Sequence, residues 1–219
     1  MIQKISLIFV FLLLTWTKNV MAVEEPHYSV LYKQDNFEVR EYPPMLIAKT
    51  IIKGDMSEAS RKGFQIIADY IFGNNQSSNT EETTKISMTA PVSISPDVIQ
   101  SIHTPVTIKP TLIAEHFDNA QIWQVSFVMP SEYNLQTIPK PNNPSIQLIE
   151  LPTRYFVINR YSGLNTNEKI TAKIDELSKW AHEHAFVVIG EAQLARYNPP
   201  WTLPMFRRNE IFIEINKPN

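Results

Sequence analysis

FEVREYPPMLIAKTIIKG, residues 37–54, and IQLIELPTRYFVINRYSG, residues 146–163, are one pattern written twice. The offset is a constant 109 positions with no gap. Glu41 falls on Glu150, Pro43 on Pro152 and Gly54 on Gly163. Apolar residues coincide as well: Phe37 with Ile146, Val39 with Leu148, Tyr42 with Leu151, and Ile47 with Phe156. Each copy reads as a strand, a proline-marked break, a second strand and a glycine ahead of a helix. Proline donates no ladder hydrogen bond and so belongs at the break, whereas glycine tolerates the turn into the helix.

The residues beyond each glycine extend the match. Met56, Ala59, Gly63, Ile67, Tyr70 and Ile71 recur at helical steps, as do Ile170, Ile174, Leu177 and Ala181. Asp55 with Glu58 is a capping pair for the first helix, and Gly73 and Gly190 read as the two stop signals. Two strands then close each half, over residues 85–94 and 122–129 in the first and 191–197 and 209–215 in the second. Alternation marks them at Ile86, Met88, Ala90 and Val92, at Val125, Phe127 and Met129, and at Ile211, Ile213 and Ile215. Residues 74–84 read as a polar loop, 131–145 as a Pro/Asn-rich link, and 95–118 as ambiguous with one possible strand near Val106. The expectation is an α+β fold: a curved antiparallel sheet with two long helices on one side. Two pseudo-symmetric halves, about 28–130 and 146–216, share that sheet within a single domain at 23–219.

Residues 1–22 have the form of a signal peptide: Lys4, an apolar run over residues 5–14, and Val20-Met21-Ala22 as a cleavage site. The run is short of the roughly 20 residues needed to span a bilayer. Cleavage after Ala22 leaves 18 basic against 22 acidic residues, a net charge of −4. Such a chain has no electrostatic attraction for nucleic acid or anionic lipid, no basic cluster stands out in it, and no stable membrane anchor remains after processing. A periplasmic or secreted location follows. The absence of cysteine excludes disulfides, thiolate ligands and thiol nucleophiles.

Catalytic patterns are sparse. There is no Gly-x-Ser-x-Gly elbow, and the five glycines stand apart, so no phosphate-cradling loop exists. His182 and His184 lie two apart on a helix, about 200° around it, and do not chelate one ion together. Glu214 shares a strand face with Glu210 and Phe212, where it reads either as a solvated carboxylate or as an acid–base group in a cleft. In KISMTAPVSI, residues 85–94, a proline and the small Thr89 and Ala90 surround the polarisable Met88. Two readings stand equally: a strand bordering a cleft, or small residues making room for a helix.

KISMTAPV, the closing RRNEIFIEI preceded by RYNPPWTLP, and the opening YSVLYKQDNFEVREYPP together resemble the SOUL/haem-binding protein family. The resemblance runs from about Tyr28 to Ile215. It implies a distorted β-barrel of two βαββ-type halves with two long helices, an architecture similar to gyrase-inhibitor-like effector-binding domains. It also implies reversible, non-catalytic binding of haem or another tetrapyrrole in an apolar surface groove beside the first helix, for capture, buffering or transport. The other reading is a binding module for a different amphipathic molecule or a protein partner.

Arg61 matches a family arginine that contacts a propionate. Two further cations of the family pattern are replaced here, by Asp69 and Leu203. Phe64, Ile67, Tyr70 and Met88 complete the expected ligand-binding set. No metal ligand is expected from the protein.

Overall fold

The computed structural model describes residues 23–77, 83–97 and 110–218. The expected signal segment and the possible strand near Val106 lie outside these residues. The strands are β1 (Ser29–Gln34), β2 (Phe37–Tyr42), β3 (Met45–Lys53), β4 (Asn75–Gln76), β5 (Val92–Pro96), β6 (Ile122–Val128), β7 (Lys140–Pro141), β8 (Gln147–Leu151), β9 (Arg154–Tyr161), β10 (Val188–Arg196) and β11 (Asn209–Ile215). The helices are α1 (Met56–Ile71), α2 (Pro110–Asn119) and α3 (Asn167–Glu183).

The two copies of the repeat pair with each other. β2 lies antiparallel to β9 and β3 to β8. Partner numbers add to 196 throughout, from Phe37 with Asn159 and Tyr42 with Arg154 to Met45 with Leu151 and Lys49 with Gln147. One ladder without a slip therefore passes both proline breaks. Since equivalent residues differ by 109, its centre, Pro43 and Pro44 opposite Pro152 and Thr153, is also the pseudo-twofold axis.

The nine-stranded sheet has the order β1-β2-β9-β11-β10-β5-β6-β3-β8. Apart from β1 this order is a palindrome under the axis, which exchanges β2 with β8, β9 with β3, β11 with β6, and β10 with β5. The barrel expectation is corrected here. The sheet is open, with β1 and β8 as its two ends and no strand pairing across them among the described residues. The prolines bend the ladder at its centre, and that bend curves the sheet without closing it.

Local chemistry explains the helices. Asp55 caps α1 by accepting from the Glu58 N–H at 2.9 Å, and Thr166 caps α3 by accepting from the Lys169 N–H. Gly54 and Gly163, equivalent in the repeat, have φ of 129° and 105°, a region that disfavours any Cβ. Gly190 is not a stop signal. α3 ends at His184 and Ala185, the latter at φ 59°, whereas Gly190 lies inside β10 with room only for Glu214. α2 is an additional helix in the segment read as ambiguous; it packs on α3 and β10. β4 and β7 form a two-stranded ribbon where only loop and linker were expected. Asn75 anchors it from a buried position, bonding the Tyr70 and Thr84 carbonyls.

The main core lies between the sheet and all three helices, and it includes Ile67, Tyr70, Val125, Ile174, Leu177 and Ile213. Each fully buried aliphatic side chain there contributes roughly 1.5–3 kcal/mol. α1 sits so close to β6 that a Cβ at Gly63 would meet Val125 at 2.5 Å. A smaller cluster of Tyr42, Phe156, Ile158, Ala195 and Phe212 covers the opposite face.

Residues 85–94 are a strand only from Val92 onward. The preceding stretch is irregular. The Ile86 N–H bonds the Ile71 carbonyl, the Thr89 hydroxyl bonds the Val128 carbonyl, and the Ala90 N–H bonds the Glu24 carbonyl ahead of a cis Ala90–Pro91 bond. Small residues are there because the chain must pass between the end of α1, β6 and the N-terminal segment.

Candidate functional site

α1 turns one face to the core and another to solvent. Arg61, Phe64 and Phe72 lie on one side of the helical wheel and are exposed, whereas Ala68, on the same side, is buried. Phe64 is 39% exposed and Phe72 58%, with a buried Ala68 between them. At 1.5 Å per residue the two rings stand about 12 Å apart along the axis. The inner edge of Phe64 rests on Phe127 of β6, with centroids 5.6 Å apart. The result is a shallow apolar strip on a rigid helix.

Arg61 is exposed at the N-terminal half of this strip and has no carboxylate partner among the described residues. A second guanidinium reaches the same turn of the helix. Arg196, the last residue of β10, crosses from the sheet to α1 and donates to the Ser60 hydroxyl. It too lacks a carboxylate partner among the described residues, and burial lowers its pKa. It stays partly accessible. Two cations beside apolar surface suit a ligand that is flat, apolar and carries carboxylates, since charge-assisted hydrogen bonds to guanidinium are the strong ones.

The other expected site residues are distributed differently. Ile67 and Tyr70 belong to the core, at 0% and 1% exposure, and offer a ligand no surface. The Tyr70 hydroxyl donates to the Pro139 carbonyl at 2.7 Å, and burial raises its pKa. They are set aside because the apolar stripe of a surface helix faces inward. Met88 is half-buried against the main core. Asp69 accepts from the Asn74 side chain at the far end of α1.

Phe72 and Arg196 were not among the expected set, although both left a signal. Phe72 continues the Arg61–Phe64–Ala68 spacing. Arg196 continues the alternation of Ala192 and Leu194, which face the core.

One cleft among the described residues has a volume of about 160 Å³ and lies between residues 24–27, the proline corner and Met129. Another, about 90 Å³, lies between Asp55, Phe117, Trp123 and Asn167. Neither approaches the roughly 300–1,000 Å³ of an enclosing pocket for a drug-sized ligand. A large planar ligand fits inside neither.

The opposite face of the sheet carries charge of another kind. The Arg40 guanidinium, 1% exposed, donates to Glu38 at 2.6 Å, to Glu210 at 2.8 Å and to the Tyr42 hydroxyl at 3.2 Å, beneath the Tyr28 ring. Glu210 also accepts from the Tyr197 hydroxyl at 2.7 Å and from Arg208 at 2.9 Å, and Arg208 in turn holds Glu25. Burial alone would raise the Glu210 pKa, but the hydrogen bond and charge of Arg40, reinforced by Arg208 and Tyr197, hold it below the ordinary carboxylate range. Glu214, the acid–base candidate, is clasped by Arg154 through both carboxylate oxygens. His184 stacks on Trp180 with centroids 4.4 Å apart, while His182 is exposed.

Comparison with known proteins bears on both fold and family. The fold is similar to that of the EcmrR C-terminal domain, with a TM-score of 0.56 and 11% identity over 86% of this chain and 99% of that one. It is also similar to a hydrolase from Listeria innocua, with a TM-score of 0.52 and 9% identity over 85% of this chain and 94% of that one. At these identities the likeness is one of fold alone. A search of the curated proteins returns no match. The profile described as SOUL heme-binding protein matches residues 23–214. The chain belongs to the SOUL haem-binding protein family.

Proposed function

We propose that the protein is a non-catalytic carrier that binds haem or another tetrapyrrole reversibly on the outward face of α1, acting in capture, buffering or transport outside the cytoplasm. Family membership supplies the ligand class. The observation that carries the reading is that α1 exposes the rings of Phe64 and Phe72 and bears Arg61, while Arg196 reaches the neighbouring Ser60, neither guanidinium having a carboxylate partner among the described residues. In this reading the macrocycle lies against Phe64 and Phe72, and one or both guanidinium groups receive its carboxylates. The second cation, which the replacements at Asp69 and Leu203 had removed from the family pattern, is restored by Arg196. Apolar contact on a half-open surface supports exchange rather than permanent retention.

A carboxylate fixed by a bidentate arginine, as Glu214 is, suits a structural role better than proton transfer. The test is an absorbance titration of haemin into the chain starting at Val23, with metal-free protoporphyrin IX as comparison. Saturation at one equivalent by both compounds supports the proposal and assigns binding to the apolar strip. Weak, non-saturating association with both rejects it and favours another amphipathic ligand.

A further inference from the structure

The loop joining β10 to β11, residues 197–208 (YNPPWTLPMFRR), turns its large apolar side chains outward. Trp201, Leu203, Met205 and Phe206 are each between 58% and 83% exposed, and Leu164 stands beside them at 53%. Tryptophan is a residue that proteins bury to a high degree on average, so exposure of this extent next to three more large apolar side chains calls for a cause.

The loop is not loosely held. Arg207 donates to the carbonyls of Thr202 at 2.8 Å and Pro200 at 2.5 Å. The Pro199, Leu203 and Pro204 carbonyls accept from Thr202, Phe206 and Arg207 within the loop, and the Gly163 N–H adds a bond to Pro204 at 2.9 Å. Pro199, Pro200 and Pro204 have no N–H to satisfy. Much of the backbone polarity is thus consumed internally while the apolar side chains point away. That is the arrangement an apolar medium requires, because unsatisfied backbone groups are costly there.

Charge narrows the choice of partner. Arg207, Lys169 and Arg160 stand around the base of the loop and have no carboxylate partner among the described residues. Lys169 reaches the Ser162 carbonyl at 2.8 Å, beside the Gly163 contact. The acidic residues near them are engaged: Glu25 pairs with Arg208, Glu210, opposite Arg160 in the ladder, is held by Arg40 and Arg208, and Glu168 turns to Thr166 and its own backbone N–H at the start of α3. A basic collar behind an apolar tip contrasts with the chain's overall charge of −2. Side chains this exposed have no walls around them, so the tip offers no groove for a second copy, and like charges at the base oppose self-association. A bilayer accepts a convex apolar wedge, and anionic headgroups complement the collar.

We propose that the β10–β11 loop is a membrane-docking element that inserts Trp201, Leu203, Met205 and Phe206 into the interfacial region of a bilayer containing anionic phospholipid. No helix among the described residues is long and apolar enough to cross a membrane, so the attachment is peripheral. The loop begins directly after Arg196, the residue that bonds Ser60 of α1. The inference stands independently of the ligand assigned to the outward face of α1.

The experiment is co-sedimentation with vesicles of phosphatidylcholine, with and without roughly one-third phosphatidylglycerol. It uses the chain starting at Val23, which keeps every described residue and removes the apolar run over residues 5–14. Partition of the wild type, stronger with phosphatidylglycerol and reduced at least about tenfold in Trp201→Ser/Phe206→Ser at unchanged circular dichroism, is the expected result. Three results overturn the proposal. They are no partition of the wild type, partition indifferent to the two substitutions, and a wild-type oligomer in solution that the substitutions convert to monomer. Quenching of Trp201 fluorescence by brominated lipid, lost in Trp201→Phe, adds a readout of insertion that a folding defect does not mimic.

Discussion

The two faces of the sheet handle arginine in opposite ways. On the face away from the helices, Arg40 is buried among Glu38, Glu210, Tyr42 and Tyr28, and Arg208 is shared between Glu210 and Glu25. On the helical side, Arg196 has a serine hydroxyl and Arg61 has no carboxylate within reach among the described residues. Sequence similarity alone treats all four as basic positions. Physics separates them: a buried charge that is fully paired holds the fold together, whereas a charge beside exposed apolar surface and without a partner is available to a ligand.

The largest effect should come from breaking the paired side. Arg40→Met leaves Glu38 and Glu210 buried with fewer donors and should destabilise the fold by roughly 3–5 kcal/mol, measured by urea denaturation. A loss below about 1 kcal/mol would mean that the network is dispensable.

Acid acts on the same groups. Glu210 and Glu38 titrate below the ordinary 4.5 in the folded state, so the unfolded chain binds protons first as pH falls. Their contribution is complete above 4.5 and is lost as pH drops through the folded values. Thermal scans should show a steep fall in Tm below that point, and Glu210→Gln should flatten it.

The unpaired side predicts the reverse combination, with binding lost and folding kept. Arg61→Glu and Arg196→Met should each weaken protoporphyrin IX binding by several-fold to about tenfold, from the loss of a charged hydrogen bond. Arg61→Glu should leave the urea midpoint in place. Equal affinity in both variants would remove the carboxylate contact from the account. The smallest effect is expected for Phe72→Ser, a few-fold weakening with stability changed by no more than about 0.5 kcal/mol.

How much of this was legible in the residues differs by element. The repeat at residues 37–54 and 146–163 revealed four of the strands and the α1 and α3 helices, because prolines and glycines occupy positions where the backbone leaves little choice; that the two copies pair with each other is visible only in the structure. Residues 85–91 misled: Ile86, Met88, Ala90 and Val92 alternate as a strand would, yet only Val92 enters one. Their inward positions are set by contacts with α1, β6 and Glu24 that lie far away in sequence. Gly190 misled in a similar way, since Ala185 adopts the left-handed turn expected of glycine.

Of the residues expected to bind ligand, Arg61 and Phe64 are exposed, whereas Ile67 and Tyr70 were drawn from the stripe that forms the core. Phe72 was legible from the same wheel. Arg196 was legible as a charged residue in a core-facing register, but its partnerless state needs the third dimension.

The central claim is that the outward face of α1 holds the tetrapyrrole, and its most direct test is the protoporphyrin IX dissociation constant of Phe64→Ser/Phe72→Ser against wild type by fluorescence titration. The account predicts a loss of at least about tenfold at an essentially unchanged urea midpoint. An unchanged dissociation constant in a folded double variant would place the ligand elsewhere on the molecule and contradict the account.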